Sequence, residues 1–167
     1  MKKLLTTLTL SSALLLTACG GEDTADTTDD AATEDTTEEV ATDGLQDGSY
    51  RIEELNFGGT GWKEALEINV DGGEITDANF ESVDEDGNNK IEDDEYQESM
   101  AGAVEIGPQD FIPELEESVV EAQDPADIEV VTGATGTSEK VQDFAQQLVE
   151  AAEEGNTDTI EVDNSEE

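Results

Sequence analysis

Apolar Leu66, Ile68 and Val70 alternate with polar Glu67 and Asn69. That period of two predicts a half-buried β-strand. Asp71-Gly72-Gly73 then supplies the positive-φ positions of a hairpin turn. Residues 75–83 return as the partner strand, with Ala78 and Phe80 on one face, and Tyr50 and Ile52 open an earlier strand. Further along, the period changes. Residues 92–103 predict a short helix with Tyr96 and Met100 on one side. Ile112, Leu115, Val119 and Ala122 recur at helical spacing after Pro108, which places Pro113 in the first turn of a second helix. Gln123-Asp124-Pro125 ends it, and residues 128–131 read as a short strand. Val141, Phe144, Ala145, Leu148, Val149 and Ala152 mark a strongly amphipathic third helix. It is expected to start near Thr137 or Ser138, either of which can cap it. Strands first and helices later predict an α+β fold: a single small domain, an antiparallel β-meander packed by helices.

The N-terminal segment has a different character. Lys2 and Lys3 precede an apolar stretch over residues 4–16. A bilayer span takes about 20 apolar residues, so this stretch is too short to be one. Residues 1–18 read as a secretory signal peptide. Leu16-Thr17-Ala18-Cys19 resembles the bacterial lipobox, in which the Cys is lipidated and becomes the new N-terminus. Two acyl chains on Cys19 would hold the protein at a membrane far better than one, facing outside the cytoplasm. Residues 20–43 are almost wholly Asp, Glu, Thr and Ala, without an aromatic or basic residue. Such a segment cannot bury enough apolar surface to fold, and as a flexible coil it would span about 27 Å. The expected organisation is therefore a signal peptide, a lipidated Cys with a disordered acidic tether over 19–44, a folded domain over 45–155, and an acidic tail over 156–167 that frays.

Charge and absences narrow the function. The 167 residues include 46 acidic and 6 basic ones. Without Lys2 and Lys3 the balance is 46 against four, a net charge of −42. Such a surface repels nucleic acid and anionic headgroups, which argues against any nucleic-acid partner. There is no His, which removes Ser-His and Cys-His catalysis and most transition-metal sites. Cys19 is the single Cys, so its lipidation leaves no thiol for a disulfide, zinc site or iron–sulfur cluster. Chemistry must come from carboxylates, hydroxyls, backbone amides or a bound organic cofactor.

The run from Val130 to Ser138 is small, hydroxyl-rich and glycine-rich, and joins a predicted strand to a predicted helix. Amides at a helix N-terminus favour an anion, and small residues let it come close. Gly, Thr and Ser also make ordinary loops and caps. Within the run, Thr132-Gly133-Ala134-Thr135 resembles the S/T-G-A-T flavinylation motif of the FMN-binding domain family. That family includes flavin-carrying subunits of the Rnf and Nqr ion-pumping complexes and small bacterial lipoproteins of extracellular electron transfer. The similarity extends over most of residues 48–154. Asp47-Gly48-Ser49-Tyr50, Gly59-Thr60-Gly61-Trp62-Lys63, Asp71-Gly72-Gly73-Glu74-Ile75, Glu95-Tyr96, Met100 and Ile112-Pro113-Glu114-Leu115 each resemble a family segment.

The resemblance implies an FMN cofactor, joined by a flavin transferase to Thr135 through a phosphodiester. Thr132, Gly133, Ala134, Gly136 and Ser138 would surround it. Glu129 stands where the family usually has Asp, three residues before the motif. The implied role is an electron carrier rather than a substrate-converting enzyme, served by a quinone-linked donor and by redox partner proteins. Trp62, Tyr96 and Phe57 are candidates to pack near the flavin ring or to serve as core.

Residues 84–95 carry a second pattern. Asp84, Asp86 and Asn88 fall at the first, third and fifth positions of an EF-hand loop, and Glu95 at the twelfth. Asn89 takes the place of the usual sixth-position Gly. The preceding segment, however, reads as a strand and not as the helix an EF-hand needs. A calcium-binding surface lipoprotein using these four residues is the alternative reading.

Overall fold

The structure is a computed structural model and describes residues 44–165. The predicted signal peptide, Cys19 and nearly all of the tether lie outside the described residues. Strands β1 (Gly48–Glu54), β2 (Lys63–Asp71) and β3 (Glu74–Val83) form the expected antiparallel meander. Tyr50 pairs with Ile68 and Ile52 with Leu66, while Ile68 pairs with Ala78 and Leu66 with Phe80. All of these side chains are buried on one face. Gly72 and Gly73 have φ of 65° and 82°, the two positive values of the turn type that matches strand twist. The register shifts between Asn69 and Val70. One extra residue on β3 there lets both Ile75 and Ala78 point inward, as a bulge does.

The tail does not fray as expected. Ile160–Val162 forms strand β4, parallel to β1, giving a mixed sheet in the order β3-β2-β1-β4. Two further links hold it. Leu55 N–H donates to the Val162 carbonyl at 2.8 Å. Asn164 accepts from Asn56 N–H at 3.0 Å and donates to the Asn56 carbonyl at 2.9 Å.

Helix α1 (Asp94–Val104) is capped by the Asp93 carboxylate, which accepts from Tyr96 N–H. Helix α2 (Pro108–Ala122) starts at Pro108 itself. Pro113 therefore lies in the second turn, not the first, and on the exposed face, where water can serve the carbonyl its missing N–H leaves open. Glu116 of α2 and Gln123, the residue that ends it, close the edge of β3. Glu116 accepts from Phe80 N–H at 2.8 Å, and Gln123 both accepts from Ile75 N–H and donates to its carbonyl, each at 2.8 Å. These side chains blunt the edge against pairing with another strand at Ile75 and Phe80. Helix α3 (Thr135–Glu154) crosses the same sheet face. Phe111, Ile112, Leu115 and Val119 of α2 and Val141, Phe144, Ala145 and Leu148 of α3 complete the core. On the opposite sheet face, Arg51 bridges Glu53, Glu67 and Glu81.

Residues 128–131 are extended but join no sheet, which corrects the expected strand. Their polar groups go elsewhere. Gln142 donates to the Ile128 carbonyl at 2.7 Å, and Glu129 N–H donates to Ser118 Oγ at 3.0 Å. Among the described residues no helix is long and apolar enough to cross a membrane.

Candidate functional site

The segment Val131–Thr135 is a tight turn running straight into α3. Ala134 N–H donates to the Val131 carbonyl at 3.0 Å, and Gly133 has a φ of 92°, as the third position of such a turn can require. Ser138 fastens the turn from inside the helix. Its Oγ accepts from Val131 N–H at 3.0 Å and donates to the Ala134 carbonyl at 2.9 Å. The helix begins at Thr135, two to three residues before the expected start. Neither Thr137 nor Ser138 is its cap. Ala134 holds the cap position and offers no side-chain acceptor. Ser138 N–H is bonded to the Ala134 carbonyl, so the amides of Thr135, Gly136 and Thr137 lead the helix without a capping side chain.

The site residues named from sequence divide into two groups. Thr132, Thr135 and Gly136 are exposed, whereas Ala134 and Ser138 are buried and shape the turn. Gly133 faces Ile106 and the end of α1. Gly136 is the informative one. A Cβ there would meet nothing within 4 Å, and its φ is ordinary. A glycine inside a helix costs about 1 kcal/mol relative to alanine, so neither packing nor backbone in this fold calls for it. A bare helix face beside an exposed hydroxyl fits a bulky group lying close against Thr135. On the Thr132 side the turn borders a groove of about 470 Å³ lined by Ile106, Glu114, Glu129, Val130, Val131 and Thr132. Its two carboxylates, Glu114 and Glu129, disfavour an anion there.

A partly buried ionic chain, not legible in the sequence, leads away from α3. Lys140 Nζ meets Glu54 Oε1 at 2.6 Å. Glu54 Oε2 accepts from Glu64 N–H at 2.9 Å, and Glu64 Oε1 meets Lys90 Nζ at 3.3 Å. The Lys90 ammonium stands 5.0 Å from the Trp62 ring centre and 5.8 Å from that of Tyr96, a cation–π arrangement. The two rings meet edge to face at 5.6 Å. Burial holds the Lys90 pKa below the usual lysine value, with Glu64 opposing the shift. The one available signal was a single cation in the otherwise acidic run 84–95. Trp62 and Tyr96 thus enclose Lys90, while Phe57 stays exposed.

Two of the four EF-hand-like residues, Asp84 and Asn88, are bonded to each other within the loop. Asp84 Oδ1 accepts from Asp86 N–H at 2.9 Å and Asn88 N–H at 2.8 Å, and Oδ2 accepts from the Asn88 side chain at 2.9 Å. Those bonds, the Asn88 side chain first, hold the Asp84 carboxyl below its usual pKa. Asn89 accepts from Ile91 N–H and starts a single 3-10 turn. Strand β3 leads directly into the loop. Among the described residues, no three carboxylates are placed to hold a metal ion.

Residues 59–150, more than half of the chain, match the family described as the FMN-binding domain. The chain belongs to the FMN-binding domain family, and FMN is its cofactor. It is 30% identical over 116 residues to the 15 kDa lipoprotein of Treponema pallidum, covering 70% of this chain and 82% of that protein. It is also similar to a Clostridium perfringens protein of known crystal structure, with 38% identity, a TM-score of 0.69, and coverage of 71% of this chain and 98% of that one.

Proposed function

We propose that FMN is attached covalently to Thr135 through a phosphodiester, and that the protein is a lipid-anchored flavoprotein carrying electrons outside the cytoplasm. The observation that carries this reading is the start of α3. Thr135 is its exposed first residue, no side chain caps it, and bare Gly136 follows. A flavin transferase would pass the FMN phosphoryl group from a flavin dinucleotide to the Thr135 hydroxyl, breaking the donor's P–O–P anhydride, releasing a nucleoside monophosphate and taking up the hydroxyl proton. The resulting diester keeps one negative charge, which the leading amides and the helix dipole favour. The bond prevents loss of the cofactor to the medium. The isoalloxazine ring supplies the redox chemistry, and the chain supplies attachment, shape and electrostatics.

Anchoring through Cys19 agrees with the lipobox-like run Leu16–Cys19 and with the similarity to the Treponema lipoprotein. The tether would hold the domain clear of the membrane. A quinone-linked donor would reduce the flavin, and an acceptor with a basic face would dock best on so acidic a surface.

The test co-produces the chain with a flavin transferase, denatures it and inspects the gel under ultraviolet light, beside Thr135→Ala. A fluorescent band in the native lane alone is expected. A dark native lane, with the transferase shown active on another substrate, would refute covalent attachment.

A further inference from the structure

We infer that the Lys140–Glu54 ion pair sets the reduction potential of the flavin carried beside it, Lys140 raising it and Glu54 lowering it. The inference rests on the attachment to Thr135 proposed above. Outside the signal peptide the chain has four basic residues: Arg51, Lys63, Lys90 and Lys140. Arg51 is committed to three glutamates on the outer sheet face, and Lys90 is enclosed at 7% exposure. Lys140 is placed differently. It follows Gly136 by four residues on α3, so the two share one helix face. A helical side chain leans toward the turn on the N-terminal side of its own Cα, and the Lys140 ammonium stands 5.7 Å from the Phe144 ring centre.

The pair is also asymmetric in depth. The Lys140 side chain is 22% exposed, whereas that of Glu54 is 3% exposed and reaches it from beneath at 2.6 Å. A ring lying on the bare Gly136 face therefore meets the ammonium before the carboxylate. Each electron the flavin accepts adds negative charge until a solvent proton follows. In a mature chain of net charge −42 that uptake is opposed from most directions. A fixed cation at the ring edge offsets the opposition locally, more strongly where the surroundings exclude water. The buried partner explains why the cation stays there instead of swinging into solvent.

The experiment measures midpoint potentials of covalently flavinylated protein. Absorbance follows titration with dithionite, which supplies two electrons per flavin, against indicator dyes. Lys140→Gln is expected to shift the reduced-to-oxidised ratio at fixed potential about tenfold toward oxidised, equivalent to about 30 mV for a two-electron couple. Glu54→Gln, which removes the buried carboxylate charge at this position, is expected to shift it the opposite way. Lys140→Arg should stay near the native value. A pair with only a structural role would move both neutral variants in the same direction or in neither, and that result would overturn the inference. If Lys140→Gln does not fold, Glu54→Gln against the native protein still decides the sign. A native protein that takes no flavin would fail the Thr135 reading and this inference together. A flavinylated native protein with unmoved potentials would fail this inference alone.

Discussion

Gly133 is seated against Ile106: a Cβ on it would stand 2.8 Å from Ile106 Cγ2, and 3.2 Å from the Val104 carbonyl. Its φ of 92° is itself strained for any other residue. Gly133→Ala should therefore cost about 1–3 kcal/mol in urea unfolding of the flavin-free protein. It should also reduce flavin loading, because the turn presenting Thr135 would have to move. Native stability in this variant would show that the turn does not depend on that close approach.

Gly136 predicts the opposite pattern. Nothing lies within 4 Å of its missing Cβ, so Gly136→Ala should leave the flavin-free protein as stable as native or up to about 1 kcal/mol more stable. Flavin loading by the transferase should fall, since a methyl group would occupy the face on which attachment at Thr135 would lay the cofactor. Equal loading of the two proteins would remove the argument that this face is kept bare for a cofactor.

These two glycines also mark how far the sequence could be read. The β2–β3 hairpin was legible, because Leu66, Ile68 and Val70 alternate cleanly and Asp71-Gly72-Gly73 can make only a tight turn. So was the body of α3, where Val141 to Ala152 keep a helical period. Its start was not. The sequence predicts a side-chain cap at Thr137 or Ser138, whereas the chain begins the helix uncapped at Thr135 and spends the Ser138 hydroxyl on the turn behind it. Ile128 to Val131 look like a strand because apolar runs are shared by strands and by extended segments pinned under helices. Strand β4 was hidden by the acidic composition around Ile160 and Val162, as its pairing depends on a β1 edge over 100 residues away. The partners of Lys90 and Lys140 were invisible for the same reason, since Glu64 and Glu54 are neighbours only after folding.

The acid side of the stability profile tests the cover over the sheet edge. Burial raises the Glu116 pKa above 4.5, although the Phe80 amide pulls the other way. A carboxyl whose pKa is raised on folding binds its proton more readily when folded. Its charged form costs stability at neutral pH, and that cost disappears as pH falls through the raised value toward 4.5. Glu116→Gln keeps an acceptor for Phe80 N–H without the charge. The variant should be at least as stable as native at neutral pH, with the difference shrinking toward pH 4. A difference that grows on acidification would contradict this.

The last strand is testable by one side chain. Asn164 is 6% exposed and pairs with both backbone groups of Asn56. Asn164→Ala would leave those groups without their partner, at a cost of about 1–3 kcal/mol. Hydrogen exchange should quicken at Leu55, whose N–H donates to Val162. Unchanged protection at Leu55 would mean that β4 holds without the Asn164 clamp.

The most direct test of the account is peptide mapping by mass spectrometry on protein co-produced with a flavin transferase. Proteolytic fragments spanning residues 130–140 contain three threonines, Thr132, Thr135 and Thr137, and one serine. A single FMN phosphodiester is expected, fragmenting to Thr135. FMN on Thr132 or Thr137, or a fully unmodified fragment from protein made with an active transferase, would contradict it.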